Sequence, residues 1–225
     1  MSGELRLAVL ASGRGSNLRA ILARRDAGTL PVEVALVASD KPDCGAVATA
    51  RERGIGVFAR RPDSFPDRAS FDAALLDAVV GVQPDVIVCA GYMRLLGADA
   101  VRRARGRMIN IHPSLLPAYP GLRTHARALA DRAVEHGASV HVVTPDLDAG
   151  PVLAQARVAV DMNDTPATLA EKVLAREHPL LCAVLAALAR GDIVLAADAP
   201  PRWRGAPLAH PLQLGADNTL QERPG

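Results

Sequence analysis

Short apolar runs alternate with segments of helical periodicity through the first half of the chain, and this alternation constrains the fold more than any other feature. The apolar runs at 5–10, 32–38 and 85–89 have the length of buried strands. Between them, 45–53 and 71–80 place apolar residues at helical spacing. Strands that alternate with helices form right-handed β-α-β units, which bury a parallel sheet on both faces. We therefore expect an α/β fold with a doubly wound, mostly parallel, Rossmann-like sheet.

The second half of the chain departs from this pattern. A strand at 108–111 is followed by a proline-rich loop instead of a helix, and the runs 138–143 and 152–160 flank an acidic turn. We expect these two runs to form an antiparallel element. Thr165 and Pro166 supply the hydroxyl cap and the first-turn proline of a long helix. The segment 201–225 is rich in Pro, Gly and Ala, so we expect a loosely ordered tail there.

Composition excludes several classes of protein. A net charge of +2, with no basic stripe, argues against a nucleic-acid partner. No apolar run reaches the roughly 18 residues that a membrane span requires, so no membrane partner is expected. Three widely spaced cysteines without a CxxC pair fit a reduced, cytoplasmic setting. The histidines lack the spacing of zinc ligands, so we expect no metal.

A glycine-containing turn follows the first strand. Gly13 and Gly15 flank Arg14 and lead through Ser16 into a helix. Such a turn lets the backbone approach a ligand, and the free N–H groups of a helix N-terminus suit a phosphate. Leu18 stands where the dinucleotide fingerprint requires a third glycine, so a single phosphate fits better. A plain strand-to-helix turn is an equally good interpretation of this segment by itself.

Asn110 and His112 carry the second constellation. They lie two residues apart on one predicted strand, so both side chains point to the same face at its carboxyl end. An amide can stabilise an oxyanion while an imidazole moves a proton, which together suit acyl transfer. The alternative for His112 is a buried histidine whose nitrogens are satisfied by backbone groups.

The acidic turn gives the third constellation. It includes Asp146 and Asp148 before Gly150, and acidic residues in such turns most often serve the turn itself. The functional interpretation is that one carboxylate lies beside His112, stabilises its protonated form and tunes its pKa near neutrality.

At these segments the chain resembles the phosphoribosylglycinamide formyltransferase family, the folate-dependent enzymes of purine synthesis. The resemblance extends to about residue 195. Its more specific part is the stretch 118–125, where methionyl-tRNA formyltransferases differ. The matching motifs are Ser12-Gly13-Arg14-Gly15-Ser16-Asn17, Gly91-Tyr92-Met93-Arg94-Leu95-Leu96, the segment from Asn110 through Pro117, and Asp148-Ala149-Gly150-Pro151.

The resemblance implies one formyltransferase domain over 1–200, with a phosphate-binding half at 1–105 and a catalytic and folate half at 106–200. Its substrates are 5-phosphoribosyl-glycinamide and, as cosubstrate, 10-formyltetrahydrofolate. The implied catalytic residues are Asn110, His112 and Asp148. The phosphate residues are Gly13, Arg14, Gly15, Ser16 and Asn17. The glycinamide residues are Gly91, Pro113 and Glu177. The folate residues are Arg68, Met93, Arg94, Leu95, Leu96, Thr144, Pro145, Asp146 and Leu147.

Several details remain open in the sequence. Ala149 replaces a glycine that is common in the family, which is tolerable unless the residue needs a positive φ. Leu116–Pro117 is a candidate for a cis peptide bond. We expect a monomer or a weak homodimer. A formyltransferase for another amine, a formyl-folate hydrolase and a non-catalytic phosphate-binding module are the competing functions.

Overall fold

The computed structural model describes residues 4–222, and its centre is a nine-stranded sheet that helices cover on both faces. The elements of the first half, in chain order, are β1 Leu5–Leu10, α1 Ser16–Asp26, β2 Val32–Ser39, α2 Gly45–Glu52, β3 Gly56–Ala59, a 3-10 turn Pro62–Ser64, α3 Arg68–Gly81, β4 Val86–Cys89 and α4 Ala98–Arg103. Those of the second half are β5 Met108–His112, α5 Thr124–Ala130, β6 Glu135–Val142, β7 Val152–Ala159, α6 Pro166–Ala189, β8 Ile193–Val194, β9 Arg202–Trp203, β10 Ala206–Pro207, β11 Leu212–Leu214 and β12 Leu220–Gln221.

The strand order confirms the predicted fold class. It runs β12-β11-β7-β6-β5-β4-β1-β2-β3. β1 pairs parallel with both β2 and β4, and β4 pairs parallel with β5. β5–β6 and β6–β7 are antiparallel, which is the element that the sequence predicted for the second half. A separate three-stranded antiparallel sheet of β8, β9 and β10 was not expected.

The side chains of β1 point alternately into two hydrophobic cores, one on each face of the sheet. Leu7 and Val9 point into the larger core, which α1 and α6 cover, whereas Ala8 and Leu10 point into the smaller one beneath α3. Successive side chains of a strand face opposite sides, so a strand buried on both faces must be apolar throughout. This requirement explains the continuous apolar run from which β1 was predicted.

The start of α6 follows its predicted cap. Thr165 accepts a hydrogen bond from the backbone N–H of Thr168, and Pro166 occupies the first turn. Proline costs nothing there, because the first N–H groups of a helix have no intrahelical partner. Pro179 lies inside the same helix, where it removes one backbone hydrogen bond.

The expectation of a loosely ordered tail from residue 201 is wrong for the residues that the structure describes. β11 pairs parallel with β7, and it buries Leu212 and Leu214 on either side of Gln213. Trp203 of β9 packs into the larger core. Composition suggested disorder, but a few apolar side chains suffice when they cover the open edge of a sheet. Residues 223–225 of the expected tail lie outside the described range.

Candidate active site

β5 places Asn110 and His112 at the carboxyl edge of the sheet. β5 pairs parallel with β4 on one side and antiparallel with β6 on the other, so Asn110 lies between Cys89 and His141. The amide Nδ2 of Asn110 is 3.0 Å from Nε2 of His141. His112 and His141 both approach the carboxylate of Asp148, so the predicted common orientation of Asn110 and His112 is confirmed.

His112 is 6% exposed, and its imidazole lies between two hydrogen-bond acceptors. Its Nε2 is 3.0 Å from the carbonyl oxygen of Tyr119, and its Nδ1 is 3.4 Å from Oδ2 of Asp148. A carbonyl oxygen only accepts, so Nε2 carries a proton in this arrangement. Burial lowers the pKa of His112 from its ordinary value of 6.5, although the Tyr119 carbonyl and the Asp148 charge oppose that shift.

The predicted proximity of Asp148 and His112 is therefore confirmed, but the predicted tuning of the pKa is not. The carboxylate does act to raise the pKa of the imidazole, as expected. Burial has the larger effect on the pKa. Removing the imidazolium from water destabilises it more than the Asp148 carboxylate, 3.4 Å away, stabilises it. The resting form at neutral pH is the neutral imidazole.

Asp148 is held as a carboxylate at the tip of the turn between β6 and β7. Its backbone adopts a positive φ of 51°, and its Oδ2 accepts a 2.8 Å hydrogen bond from the backbone N–H of Gly121. Burial by itself raises the pKa of Asp148. The contact with His141 and the hydrogen bond from Gly121, together with the charges that His112 and His141 carry when protonated, reverse that effect and bring the pKa to about 2. Asp148 is thus ionised throughout the physiological range.

His141 joins the site although the sequence analysis assigned it no role. Its Nδ1 is 3.0 Å from the carbonyl oxygen of Val142, so Nδ1 carries the proton. In the neutral ring, Nε2 then accepts from the amide of Asn110, and this fixes the orientation of that amide. The same nitrogen is 3.5 Å from Oδ1 of Asp148. Only the register of β5 against β6 could have pointed to His141, and the sequence does not specify that register.

The glycine turn forms the N-terminus of α1. Gly15 is the N-cap with a φ of 74°, and a Cβ there would approach the Cα of Ala46 to 2.8 Å. Only glycine satisfies both constraints. α1 begins at Ser16, so its first backbone N–H groups have no partner within the helix and face the carboxyl edge. Gly13 and Arg14 are exposed beside them.

Asn17 and Glu177 lie together, although they are 160 positions apart in the chain. Nδ2 of Asn17 is 3.4 Å from Oε2 of Glu177. Burial raises the pKa of Glu177, and the bond from Asn17 opposes that shift. The Oδ1 atom of Asn17 is buried without a hydrogen-bond partner among the described residues. The segment predicted for the phosphate and the residue predicted for the glycinamide are therefore adjacent.

The residues predicted for the folate side divide into two groups. Met93, Leu95 and Leu147 expose large apolar side chains beside the polar residues of the site. Arg68 donates to the carbonyl oxygen of Leu95, which ties α3 to that segment. The remaining members are placed as follows: Arg94 lies over the ring of Phe71 at 5.5 Å, Leu96 packs against the smaller core, and the Thr144 hydroxyl donates to the carbonyl of Asp146 beside Pro145.

Three smaller expectations concern the loops. The Leu116–Pro117 bond is cis, as predicted. Gly91 has a φ of 74° and lies between β4 and the exposed Met93, while Pro113 directly follows His112. The positive φ of the acidic turn falls on Asp148 and not on Ala149, so the methyl group of Ala149 meets no backbone strain.

Residues 4–222 offer neither a metal site nor a membrane span. No group of three or more His, Cys, Asp or Glu side chains is placed to hold a metal ion within that range. None of its helices combines the length and the apolar character needed to cross a membrane.

The sequence of this chain matches a family of known proteins. The family model described as formyl transferase matches residues 5–185. The chain belongs to the formyl transferase family.

Individual relatives of this family member are similar over most of their length. It is 40% identical over 189 residues to a phosphoribosylglycinamide formyltransferase of Escherichia coli, covering 84% of this chain and 89% of that one. It is 43% identical over 196 residues to the enzyme of the same name from Mycobacterium tuberculosis, covering 86% and 89%. Among solved structures, the phosphoribosylglycinamide formyltransferase of Coxiella burnetii superposes with a TM-score of 0.86 at 43% identity, covering 92% and 96%.

Proposed function

We propose that this chain transfers the formyl group of 10-formyltetrahydrofolate to the amine of 5-phosphoribosyl-glycinamide. The products are formylglycinamide ribonucleotide and tetrahydrofolate, in de novo purine synthesis. The observation that supports this most directly is the meeting of Asn110, His112 and Asp148 at the carboxyl edge, where α1 also begins. The relatives that match along most of this chain bear the name of that activity.

The phosphoribosyl substrate suits the α1 end of the site. A phosphate seated on the first turn of α1 receives backbone N–H groups and the positive end of the helix dipole. We assign Gly13, Arg14, Gly15, Ser16 and Asn17 to this role, and Gly91, Pro113 and Glu177 to the glycinamide end. Without substrate, Glu177 accepts a hydrogen bond from Asn17. A carboxylate in that position can equally accept a hydrogen bond from the substrate amine.

The folate cosubstrate suits the apolar rim. A flat heterocycle needs both an apolar surface and polar edges, and this site offers exposed Met93, Leu95 and Leu147 beside backbone groups of the acidic turn. We assign to this side Arg68, Met93, Arg94, Leu95, Leu96, Thr144, Pro145, Asp146 and Leu147.

The residues then divide the chemistry among them. The amine attacks the formyl carbon, and the amide of Asn110, oriented by His141, stabilises the oxyanion of the tetrahedral intermediate. His112, with Asp148 behind it, mediates the transfer of a proton from the attacking amine to N10 as the carbon–N10 bond breaks. The Asp148 carboxylate stabilises the transient imidazolium.

The setting of this reaction completes the proposal. We place it in the cytoplasm, where Cys44, Cys89 and Cys182 stay reduced, as all three are free. We assign it small-molecule substrates only, and a monomer or weak homodimer as the working state. Analytical ultracentrifugation across a concentration series would check the oligomeric state.

A turnover assay tests the proposed function. Purified protein is mixed with 10-formyltetrahydrofolate, and the folate absorbance is followed with and without 5-phosphoribosyl-glycinamide. We expect loss of the formyl folate only when the amine is present. Loss without the amine would identify a hydrolase. No loss under either condition would favour a phosphate-binding module.

His112→Ala tests the central assignment. We expect kcat to fall by at least ~10²-fold, the contribution typical of a positioned acid–base group. His210→Ala is the matched control, because His210 is an exposed histidine in the C-terminal segment. Thermal melting establishes that both variants are folded. Near-normal turnover by folded His112→Ala protein would refute the assignment.

A further inference from the structure

Ser12 occupies the point where three strand ends meet, and the proposed catalysis has no use for it. It follows β1, which lies between β2 and β4 in the sheet. Its backbone N–H donates to the carbonyl of Gly91, just beyond β4, at 3.0 Å. Ser12 is 4% exposed, and its side chain makes two further hydrogen bonds. Ser12 is thus a junction between the segment that leads to α1 and the segment that leads to Leu96.

The hydroxyl of Ser12 has a defined direction. It donates to Oδ1 of Asp40, the residue directly after β2, at 2.5 Å. It accepts from the backbone N–H of Met93 at 3.0 Å. A hydroxyl has one proton, so donation to the carboxylate leaves only lone pairs for Met93. Asp40 therefore sets the hydroxyl in the orientation that can hold the Met93 backbone.

The side chain of Asp40 is buried with Ser12 as its hydrogen-bond partner. It is 7% exposed, and across residues 4–222 its side chain has no hydrogen bond except the one from Ser12 and forms no salt bridge. Burying a carboxylate with so little compensation is unfavourable unless the carboxylate serves the structure in another way. The benefit that the geometry offers is the fixed position of Met93, which is the apolar residue that begins the exposed rim.

We propose that Ser12 and Asp40 are positioning residues that hold the Gly91–Leu96 segment against the phosphate-binding turn. Through this junction, the surface on which the folate rests is set relative to the group that anchors the amine substrate. This inference rests on the proposed function, since the segment matters for catalysis only if folate binds there. The geometric part, that Ser12 restrains Met93, holds independently.

The first test is independent of activity. Amide hydrogen exchange is measured on peptides that span residues 91–96 in wild type, Ser12→Ala and Ser39→Ala. We expect faster exchange of this segment in Ser12→Ala, because the Met93 N–H loses its acceptor. Ser39→Ala is the matched control, since Ser39 is a buried serine on β2 that bonds to Lys41 and not to this segment. Unchanged exchange in Ser12→Ala would overturn the proposal.

The second test compares the changes in KM for the two substrates. In Ser12→Ala we expect KM for 10-formyltetrahydrofolate to rise about tenfold, the effect of one lost hydrogen bond. KM for 5-phosphoribosyl-glycinamide should change much less. The dissociation constant of tetrahydrofolate, measured by calorimetry, should rise with the folate KM. A lower melting temperature with both folate constants unchanged would reduce the junction to a structural role and overturn the proposal.

Variants at Asp40 separate the hydrogen bond from the charge. Asp40→Asn keeps an oxygen that can accept from Ser12, so we expect it to stay near wild type in exchange and in folate KM. Asp40→Ala should resemble Ser12→Ala. If Asp40→Asn is as impaired as Asp40→Ala, the orientation argument fails. Absence of turnover in wild type would refute the proposed function instead, and the exchange measurement would still decide whether Ser12 restrains the segment.

Discussion

At the scale of single residues, the protonation states of the site follow from where each group is buried and what it faces. Burial keeps His112 neutral, and hydrogen bonds keep Asp148 ionised. An imidazole beside a fixed carboxylate can take up a proton and pass it on to a leaving amine, because the carboxylate stabilises the imidazolium in between. His141 orients the amide of Asn110.

The pH dependence of turnover follows from these states. The folded-state pKa of His112 is lowered from 6.5, so the active neutral form is lost only below pH 6.5. We expect kcat/KM to have an acid limb below that pH. His112 likewise favours the folded state fully above pH 6.5, and this contribution is lost as pH falls below it.

Asp148→Asn should move the acid limb. The Asp148 carboxylate raises the pKa of His112, so its removal shifts the limb to still lower pH. We also expect kcat to fall by up to about 10²-fold, because the imidazolium loses its stabilising charge. Asp63→Asn, a change at an exposed carboxylate outside the site, is the control. A limb that moves to higher pH in Asp148→Asn would contradict this account.

Ala149→Gly tests a position where the resemblance implies a glycine in much of the family. Ala149 is exposed and has no positive φ, so glycine gains nothing in the folded state and adds freedom to the unfolded chain. We expect a loss of about 0.4–1 kcal/mol in the free energy of unfolding, with kcat unchanged. Urea denaturation and the turnover assay measure both. Increased stability would show that the turn strains the alanine.

At the scale of elements, the β6–β7 hairpin positions the catalytic carboxylate. Gly150 closes the turn against β6, and a Cβ at this residue would fall 1.9 Å from the carbonyl oxygen of Val142. That distance is far inside van der Waals contact with backbone, which cannot move without opening the hairpin. Glycine at 150 is therefore required by the close approach of two strands, whereas residue 149 next to it is free to vary.

Gly150→Ala should impair the protein much more than Ala149→Gly does. We expect a loss of at least about 1–3 kcal/mol in the free energy of unfolding, together with reduced kcat as Asp148 shifts. Gly81→Ala in α3 is the matched control, because a Cβ there meets nothing within 4 Å. Thermal melting and turnover measure the two effects. A Gly150→Ala protein that is as stable and active as Gly81→Ala would refute the close-approach argument.

At the scale of the whole molecule, two cores on opposite faces of one sheet support an edge that gathers residues from distant parts of the chain. The larger core extends through β7 to β11, so the C-terminal segment stabilises a sheet whose catalytic strand lies three places away. Stability and activity should therefore respond separately to changes at β11.

Leu212→Ala tests this separation. Leu212 is 1% exposed, so we expect its truncation to cost about 2–5 kcal/mol in the free energy of unfolding. Both KM values should stay at wild-type levels, because β6 and β7 lie between β11 and β5. Val194→Ala, at a residue that is 46% exposed, is the control. If Leu212→Ala is as stable as Val194→Ala, residues 202–221 contribute little to the stability of the fold, as expected of a loosely ordered tail.

The sequence by itself determined the elements whose physics is local. Continuous apolar runs predicted β1, β2 and β4, and the cap at Thr165 predicted the start of α6. The two-residue period predicted that Asn110 and His112 share a face. These inferences succeeded because strand periodicity and helix capping depend on neighbours a few positions away.

Only the tertiary structure decided what depends on register, burial and distant partners. The register of β5 against β6 brought His141 to Asn110, and burial reversed the expected shift in the pKa of His112. The junction at Ser12 joins residues from three strand ends. β11 is ordered because it pairs with the edge of β7. Each outcome is set by groups far apart in the chain, and no local pattern encodes their distance.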